Sequence, residues 1–196
     1  MIPAVLFTCM AFSISIFADS TKTDSSPSAN PRVKMDTSKG TVIIELFPEQ
    51  APVTVKNFLH YVEEGKYTDT LFHRVIANLM NQGGAYNHRH QKIATFPAIR
   101  NEADNGLKNK RGTIAMVRTD GPHSATNQFF INTADNAALD FKDRSEAGWG
   151  YCVFGEVTEG MDIMDRIAKV RTKAHGPFDN YAPVYPVSIR SISTIE

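Results

Sequence analysis

The 196-residue sequence predicts a largely antiparallel, closed β-sheet whose ends are covered by two helices. Three observations support this prediction. Apolar residues recur in short runs rich in β-branched and aromatic side chains, and turn-forming residues separate these runs. Helical spacing occurs at only two separated places, without the regular alternation of strand and helix that a parallel sheet requires. Closure of such a sheet removes exposed strand edges, which otherwise invite aggregation.

The first half of the domain is predicted to contain three strands and one helix. Residues 32–37 and 41–46 are strand-like runs joined by a hairpin signal. A helix begins at residues 51–54, because proline is tolerated in a first turn and apolar residues then recur at helical spacing until Gly65. Residues 71–76 are predicted to form the third strand, since they are β-branched and aromatic-rich and follow a polar segment.

The second half is predicted to be mostly strand, with one helix near its end. The polar residues 87–110 indicate a surface loop that holds one short strand near residues 96–99. Two strands at 112–117 and 128–131 flank a turn-rich segment. Three further elements follow in order: a strand at 154–157, a helix at 161–169 and a strand at 187–195.

One predicted strand carries a charge among apolar side chains. Strand alternation places Phe72, Arg74 and Ile76 on one face, and two glycines, Gly83 and Gly84, follow nearby. A guanidinium among apolar groups is costly unless its donors find a partner. The residues alone leave two interpretations open. The arginine lies at a strand end with its head in water, or it is held ready for a ligand's carbonyl oxygen or amide nitrogen.

Composition limits the class of protein. Hydrophobic residues make up 42% of the chain and 21 basic residues balance 21 acidic ones, so the chain can bury one sizeable core and has no net charge. Because no Lys/Arg-rich patch interleaved with aromatic residues occurs, we expect no nucleic-acid partner. Of the scattered histidines only His88 and His90 are close, without the Cys or Asp neighbours of a metal site, so we expect no metal.

The amino-terminal residues differ from the rest of the chain. Residues 1–18 carry no charged side chain and hold an apolar run that is short for a membrane span, and their end at Ala18 suits signal-peptide cleavage. Residues 19–31 are too polar to bury a core and are expected to form a flexible leader. We therefore expect a periplasmic or secreted protein with one domain at 32–196. In that mature chain Cys152 is the lone cysteine, and we interpret it as a buried small hydrophobe.

Four blocks of residues occur in order and at appropriate spacing. They are Phe72-His73-Arg74-Val75-Ile76, Met80-x-Gln82-Gly83-Gly84, Asn127-Gln128-Phe129-Phe130-Ile131 and Val153-Phe154-Gly155-x-Val157-x-x-Gly160-Met161. Together they resemble the cyclophilin-type peptidyl-prolyl cis-trans isomerases, from about Val33 to the carboxyl terminus. Residues 101–107 and 111–116 resemble the exported bacterial branch of that family.

The resemblance implies a mainly β fold, a closed eight-stranded antiparallel barrel capped by two α-helices. It also implies a cofactor-independent isomerase whose partners are proline-containing unfolded polypeptides. Transferred position by position, it makes Arg74 the catalytic arginine and Gln82 its hydrogen-bonding neighbour, while His73 is expected to point to the opposite face. The implied substrate-binding residues are Phe72, Leu79, Met80, Val117, Arg118, Gln128, Phe130, Leu139 and Tyr151.

Several positions depart from the family's usual pattern. Ala77-Asn78-Leu79 stands where the motif usually has Pro-Gly-Phe, so an aromatic pocket wall becomes aliphatic. Ala138 occupies the place of a pocket-edge tryptophan, and we therefore expect weak cyclosporin binding. The single tryptophan, Trp149, is expected either to cap the barrel end or to fold back as a substitute wall.

Three functions follow from these observations. The first is a prolyl isomerase that assists the folding of exported proteins. The second is a proline-peptide-binding chaperone module with little or no turnover, which the departures at Leu79 and Ala138 leave open. The third is a hydrolase, but the proximity of Asp120, His123 and Ser124 inside a polar turn does not make a catalytic triad. We expect a monomer that needs no cofactor.

Overall fold

The computed structural model describes Met1 and residues 30–195 of the chain. The predicted signal peptide, 1–18, and leader, 19–31, therefore lie outside the described residues, apart from Met1, Asn30 and Pro31. Within the described part of the chain, no helix has the length and apolar character needed to cross a membrane.

The described residues form ten strands and two helices. The strands are β1 (Arg32–Thr37), β2 (Gly40–Leu46), β3 (Thr70–Ile76), β4 (Met80–Asn87), β5 (Thr113–Met116), β6 (Phe129–Asn132), β7 (Val153–Glu159), β8 (Thr172–His175), β9 (Phe178–Pro183) and β10 (Ser188–Ile195). The helices are α1 (Pro52–Glu63) and α2 (Met161–Ala168). Eight strands close into a barrel in the order β1-β10-β3-β4-β6-β5-β7-β2, and β8 pairs with β9 in a separate hairpin. The predicted mainly β fold, a closed eight-stranded antiparallel barrel with two α-helices, is confirmed.

Aromatic rings fill the main core of the barrel. The ring of Phe58 in α1 lies 5.2 Å from Tyr67, 5.6 Å from Phe129 and 5.2 Å from Phe154, measured between centroids. Helix α2 adds the fully buried Met164, whose backbone oxygen accepts a 2.9 Å hydrogen bond from the side chain of Asn81 in β4. Both helices therefore pack against the barrel through apolar burial, which is the main favourable term in folding.

The last strand of the domain completes the barrel. β10 lies between β1 and β3, where Arg32 pairs with Ile195 and Leu71 pairs with Ser188. Closure thus joins residues that are far apart in the sequence.

Strand β3 does not alternate as a simple strand does. Its pairing with β4 shifts by one residue between Phe72 and Arg74, which is the mark of a bulge at His73. Phe72 lies in the main core with its ring edge-on to Phe129, 6.4 Å away, whereas His73 and Arg74 both line a cavity outside the barrel. The bulge makes two predictions wrong, namely that Phe72 shares a face with Arg74 and that His73 points away from it.

The hairpin of β8 and β9 is absent from the sequence prediction. β8 has four residues and is mostly exposed, so it lacks the apolar alternation that reveals a strand. The chain turns at Gly176, which has a φ of +57°, and the amide of Val184 donates a 2.8 Å hydrogen bond to the oxygen of Arg171 at the hairpin base. β9 packs against β3, beside Arg74. The short strand predicted near residues 96–99 is instead one isolated bridge at Ile99.

Candidate active site

A cavity of about 470 Å³ opens on the outside of the barrel, where β3, β4 and β6 lie side by side. The β3–β4 turn, the segments around β5 and β7, and the single helical turn at Ala137–Leu139 supply the rest of its walls. Its lining consists of Arg74, Leu79, Met80, Gln82, Val117, Arg118, Phe130, Leu139 and Tyr151.

The floor of this cavity is an apolar cluster separate from the main core. Met80 and Phe130 are 5% and 3% exposed, and they pack with Ala115 and Val153. The ring of Phe130 meets that of Tyr151 nearly edge-on, with centroids 5.6 Å apart, which is a favoured aromatic geometry. The floor therefore offers a ring-sized apolar ligand a rigid surface.

Arg118 closes one side of the cavity. Its Nε donates a 3.0 Å hydrogen bond to the backbone oxygen of Gly150, and its guanidinium lies 5.3 Å from the centroid of the Tyr151 ring. This cation–π contact and this hydrogen bond fix the Arg118 side chain in place, where it forms one wall of the cavity.

A chain of hydrogen bonds runs along the opposite side. Arg74 Nη1 donates to Gln82 Oε1 at 3.2 Å, and Gln82 Nε2 donates to Gln128 Oε1 at 2.9 Å. Gln82 is 8% exposed, and both ends of its amide are engaged, so its orientation is determined by its partners. Arg74 itself is exposed, and a guanidinium carries five donors. The network therefore orients a cation at the mouth of an apolar cavity.

The other flank of Arg74 contains residues that the sequence reasoning missed. A second cavity of about 280 Å³ lies between β3 and the hairpin, and the Arg74 guanidinium is 5.9 Å from the centroid of the Tyr181 ring. Beneath the hairpin, burial lowers the pKa of His73 to about 4, and the neighbouring Arg74 cation acts in the same direction. The only sequence signal for this flank was the turn-forming pair Gly176-Pro177.

The structure brings together most of the residues predicted for the site. All nine residues that line the 470 Å³ cavity belong to the predicted set. Gln128 joins them through its hydrogen bond to Gln82. Phe72 does not line that cavity, because the bulge in β3 turns its side chain into the core, where it is 1% exposed. The structure therefore does not bring Phe72 together with the other predicted residues, and its part in substrate binding stays a prediction.

Trp149 does not replace the missing pocket wall. It is 7% exposed and packs against His123 and Phe141, with ring centroids 4.8 and 5.5 Å away. It is not among the residues that line the cavity. Its indole is instead buried by these contacts in the segment that precedes β7.

Cys152 is a structural residue. It is 3% exposed, and burial raises the pKa of its thiol to about 12. Its sulfur lies 3.5 Å from the hydroxyl of Thr54. A thiol in this environment stays protonated and is a poor nucleophile.

The residues considered for a hydrolase are used to hold a turn. His123 Nδ1 accepts a 3.1 Å hydrogen bond from the amide of Asn101, and the hydroxyl of Ser124 donates to the backbone oxygen of Gly121 at 2.7 Å. The histidine is therefore not placed to take a proton from the serine.

Comparison with known proteins assigns the family. The sequence profile described as cyclophilin type peptidyl-prolyl cis-trans isomerase/CLD matches residues 32–194. The chain belongs to the cyclophilin family. It is 50% identical over 164 residues to peptidyl-prolyl cis-trans isomerase B of Escherichia coli K12, which covers 84% of this chain and 99% of the relative. A peptidyl-prolyl cis-trans isomerase of Acinetobacter baylyi is 49% identical over 164 residues, covering 84% of this chain and 85% of that protein.

A solved structure supports the fold. The crystal structure of a Cryptosporidium parvum cyclophilin type isomerase, determined in the presence of the dipeptide Ala-Pro, superposes with a TM-score of 0.68 at 23% identity. The match covers 84% of this chain and 99% of that one. This cyclophilin is thus a cofactor-independent peptidyl-prolyl cis-trans isomerase. The alternative of a binding module with little or no turnover is not favoured.

Proposed function

We propose that this cyclophilin accelerates X–Pro rotation by seating the proline ring in the 470 Å³ cavity and donating a hydrogen bond from Arg74 to the prolyl nitrogen. The observation that supports this assignment is the position of Arg74, a permanent cation held by Gln82 at the mouth of an apolar cavity. Each of the other site residues acts on one of these two tasks.

The reaction needs no bond to break. Rotation about a peptide bond faces a barrier of roughly 18–20 kcal/mol, because resonance gives the C–N bond partial double-bond character. At an X–Pro bond the two isomers are close in free energy but exchange over tens to hundreds of seconds. Stabilisation of the twisted state is therefore sufficient for catalysis.

Arg74 can supply that stabilisation. In the twisted state the prolyl nitrogen loses its resonance with the carbonyl and regains a lone pair that accepts a hydrogen bond. An arginine donates such a bond without risk of deprotonation. A hydrogen bond to a charged group contributes about 1.5–3 kcal/mol. Because the planar ground state lacks this lone pair, the bond favours the transition state and raises the rate.

The two glutamines have separate tasks. Gln82 accepts from Arg74 and thereby aims the guanidinium, so we assign it as a positioning residue. Gln128 lies beyond it in the same network, at the edge of the cavity, where we propose that it contacts the substrate backbone. Preorganised donors of this kind need little rearrangement when the substrate twists.

The apolar floor holds the proline ring while the acyl side turns. We assign this grip to Met80, Phe130 and Leu139, with Leu79, Val117, Arg118 and Tyr151 as the surrounding walls. Exclusion of water from this floor lowers the local dielectric constant and so strengthens the electrostatic field of the nearby guanidinium.

The test is isomerisation of a short Ala-Pro peptide, followed by NMR exchange spectroscopy with the full chain. We expect the Arg74→Ala variant to lose roughly 10- to 150-fold in kcat/KM, which corresponds to one charged hydrogen bond. The matched control is Arg144→Ala, since Arg144 is an exposed arginine whose ion pair with Asp104 lies on the surface. Equal activity of the wild type and the Arg74→Ala variant would show that the arginine has no catalytic role.

We further propose that the clients of this isomerase are exported proteins and that residues 1–18 are a signal peptide. The uncharged apolar run that ends at Ala18 supports this proposal. The test is to express the full chain in bacteria, separate the periplasm and determine the amino terminus of the product. We expect a periplasmic chain that begins at Asp19, while a chain lacking residues 2–18 stays in the cytoplasm. An uncut chain in the cytoplasmic fraction would contradict the proposal.

We propose that this cyclophilin binds cyclosporin weakly, because the residue at the edge of the pocket is small. Ala138 is exposed in the helical turn beside Leu139 and offers only a methyl group where an indole would add apolar contact. In a competition assay we expect no inhibition at nanomolar cyclosporin, and tighter inhibition of the Ala138→Trp variant. Nanomolar inhibition of the wild type would refute the proposal.

A further inference from the structure

A second cavity adjoins the first at Arg74. It has a volume of about 280 Å³, and Arg74 lines both spaces. A space of this size is many times what one water molecule needs, and it has room for an aromatic side chain. Its walls are His73, Arg74, Pro177, Phe178, Asn180 and Tyr181.

The hairpin wall of this cavity is anchored by aromatic packing. The ring of Phe178 lies 5.5 Å from His73, 4.8 Å from Tyr86 and 5.3 Å from His90. His73 and Tyr86 belong to β3 and β4, so these contacts tie β9 to the barrel itself. Packing against the barrel therefore holds this wall of the cavity in place.

Tyr181 lines this cavity in an unfavourable backbone conformation. Its φ is +75°, a region that side-chain-bearing residues rarely adopt and that costs about 1–3 kcal/mol. The side chain is nevertheless 44% exposed, so burial of the ring does not account for the strain. What the conformation achieves is to bring the ring 5.9 Å from the Arg74 guanidinium, at the junction of the two cavities.

We infer that the 280 Å³ cavity is a subsite for the side chain of the residue that follows proline, and that it prefers an aromatic or large apolar side chain. This inference rests on the proposed function. If the ring occupies the larger cavity and Arg74 meets the prolyl nitrogen, the chain on both sides of proline starts close to Arg74, because that nitrogen carries the acyl group and is bonded to the Cα that leads to the next residue. The acyl side has to rotate, so the part of the substrate that can be held throughout is the part after proline. The rings of Phe178 and Tyr181 provide the surface that holds it.

The shared arginine disfavours an acidic residue at this position. A carboxylate binds a guanidinium through short, often paired hydrogen bonds. In the subsite it would compete with the prolyl nitrogen for the donors of Arg74. An aromatic side chain fills the same space and leaves those donors to the reaction, because it interacts with the cation through its ring face.

The experiment compares three carboxyl-terminally amidated peptides that differ only after proline, Ala-Ala-Pro-Phe, Ala-Ala-Pro-Gly and Ala-Ala-Pro-Glu, by NMR exchange with the full chain. We expect the Phe peptide to have a KM about tenfold lower than the Gly peptide, as an aromatic contact allows, and the Glu peptide to have the lowest kcat. Tyr181→Ala should raise the KM of the Phe peptide towards that of the Gly peptide, with Phe178 left as the remaining ring, and should leave kcat within about twofold, because the contact is made equally in both states.

Two variants serve as controls. Tyr181→Phe keeps the ring and should behave as the wild type does. Tyr185→Ala removes a neighbouring tyrosine that is 82% exposed and lines neither cavity, and it should change nothing.

Each outcome has a separate meaning. Equal KM values for the Phe and Gly peptides, or an unchanged KM in Tyr181→Ala, would overturn the subsite. A fall in kcat with every peptide at constant KM would also overturn it, because Tyr181 would then act only by orienting Arg74. If the wild type did not accelerate isomerisation of the Gly peptide at all, that result would instead contradict the proposed function.

Discussion

The two flanks of Arg74 are built on different physical principles. On the barrel flank, the side chains of Gln82 and Gln128 form a hydrogen-bonded chain that rests on the paired strands β4 and β6. On the hairpin flank, Tyr181 meets the guanidinium through a ring face at 5.9 Å, and the supporting strand β9 belongs to a separate two-stranded sheet. Directional hydrogen bonds fix the aim of a side chain, whereas ring stacking tolerates displacement.

The difference separates catalysis from selectivity. A flank that determines the direction of the donors controls how well Arg74 meets the twisted substrate. In the subsite that we infer, the flank with the aromatic rings selects which substrates stay bound, and the buried His73 makes the packing of the hairpin depend on pH. Three measurements probe how each flank is built, two of them through stability and one through kcat.

The largest effect is expected from acid on the hairpin flank. His73 has a folded-state pKa of about 4 against an ordinary 6.5, so the unfolded chain binds a proton first as the pH falls. The stabilising contribution of the neutral imidazole is complete above pH 6.5 and is lost progressively as the pH falls towards 4. Urea unfolding should therefore show a loss of about 2 kcal/mol between pH 7.5 and pH 5 from this residue.

His73→Phe is the matched variant for that measurement, because it keeps a ring between Tyr86 and Phe178 but cannot titrate. We expect it to lose less stability than the wild type over the same pH interval. An identical loss in both proteins would mean that the acid sensitivity resides elsewhere.

A smaller effect is expected from the barrel flank, and it should appear in kcat. Gln82→Met removes the acceptor of Arg74 at nearly constant volume, so the guanidinium loses its aim. We expect kcat to fall about tenfold, close to the value of one hydrogen bond, with little change in KM. Gln91→Met, which alters an exposed glutamine bonded to Asn87, is the control. A rise in KM at constant kcat would assign Gln82 to substrate binding instead of positioning.

The smallest effect concerns the strain at Tyr181. At a φ of +75° glycine is comfortable and alanine is not, so Tyr181→Gly should be more stable than Tyr181→Ala by about 1 kcal/mol. Both variants lack the ring, and the difference therefore reports the backbone alone. The measurement is the free energy of unfolding in urea. If the alanine variant is at least as stable, the hairpin relaxes and Tyr181 stores no strain.

The sequence predicted the barrel flank well because two signals agree there. Strand runs such as 128–131 carry strong β propensity, and the same residues belong to motifs whose spacing identifies the family. Strand propensity predicts the elements, whereas the resemblance to the family alone supplies the nine lining residues of the larger cavity, from Arg74 to Tyr151.

The hairpin flank was not predictable in the same way. A bulge at His73 shifts the register of β3 by one residue, and nothing in an alternating pattern marks such a shift. The strands β8 and β9 are short, and β8 is mostly exposed, so they carry little hydrophobic periodicity. The position of Tyr181 depends on its positive φ, which sequence propensity disfavours for tyrosine.

The position of β10 determines when this protein can complete its fold during synthesis. β10 lies between β1 and β3, so the barrel lacks one strand and cannot close until residues 188–195 have been synthesised. A nascent chain in which residues 188–195 are not yet available therefore exposes the edges of β1 and β3, and the high contact order of the final pairing makes closure slow. An isomerase of this fold therefore completes its own folding only after β10 is available. A factor that binds unfolded nascent chains can act on it throughout the preceding interval.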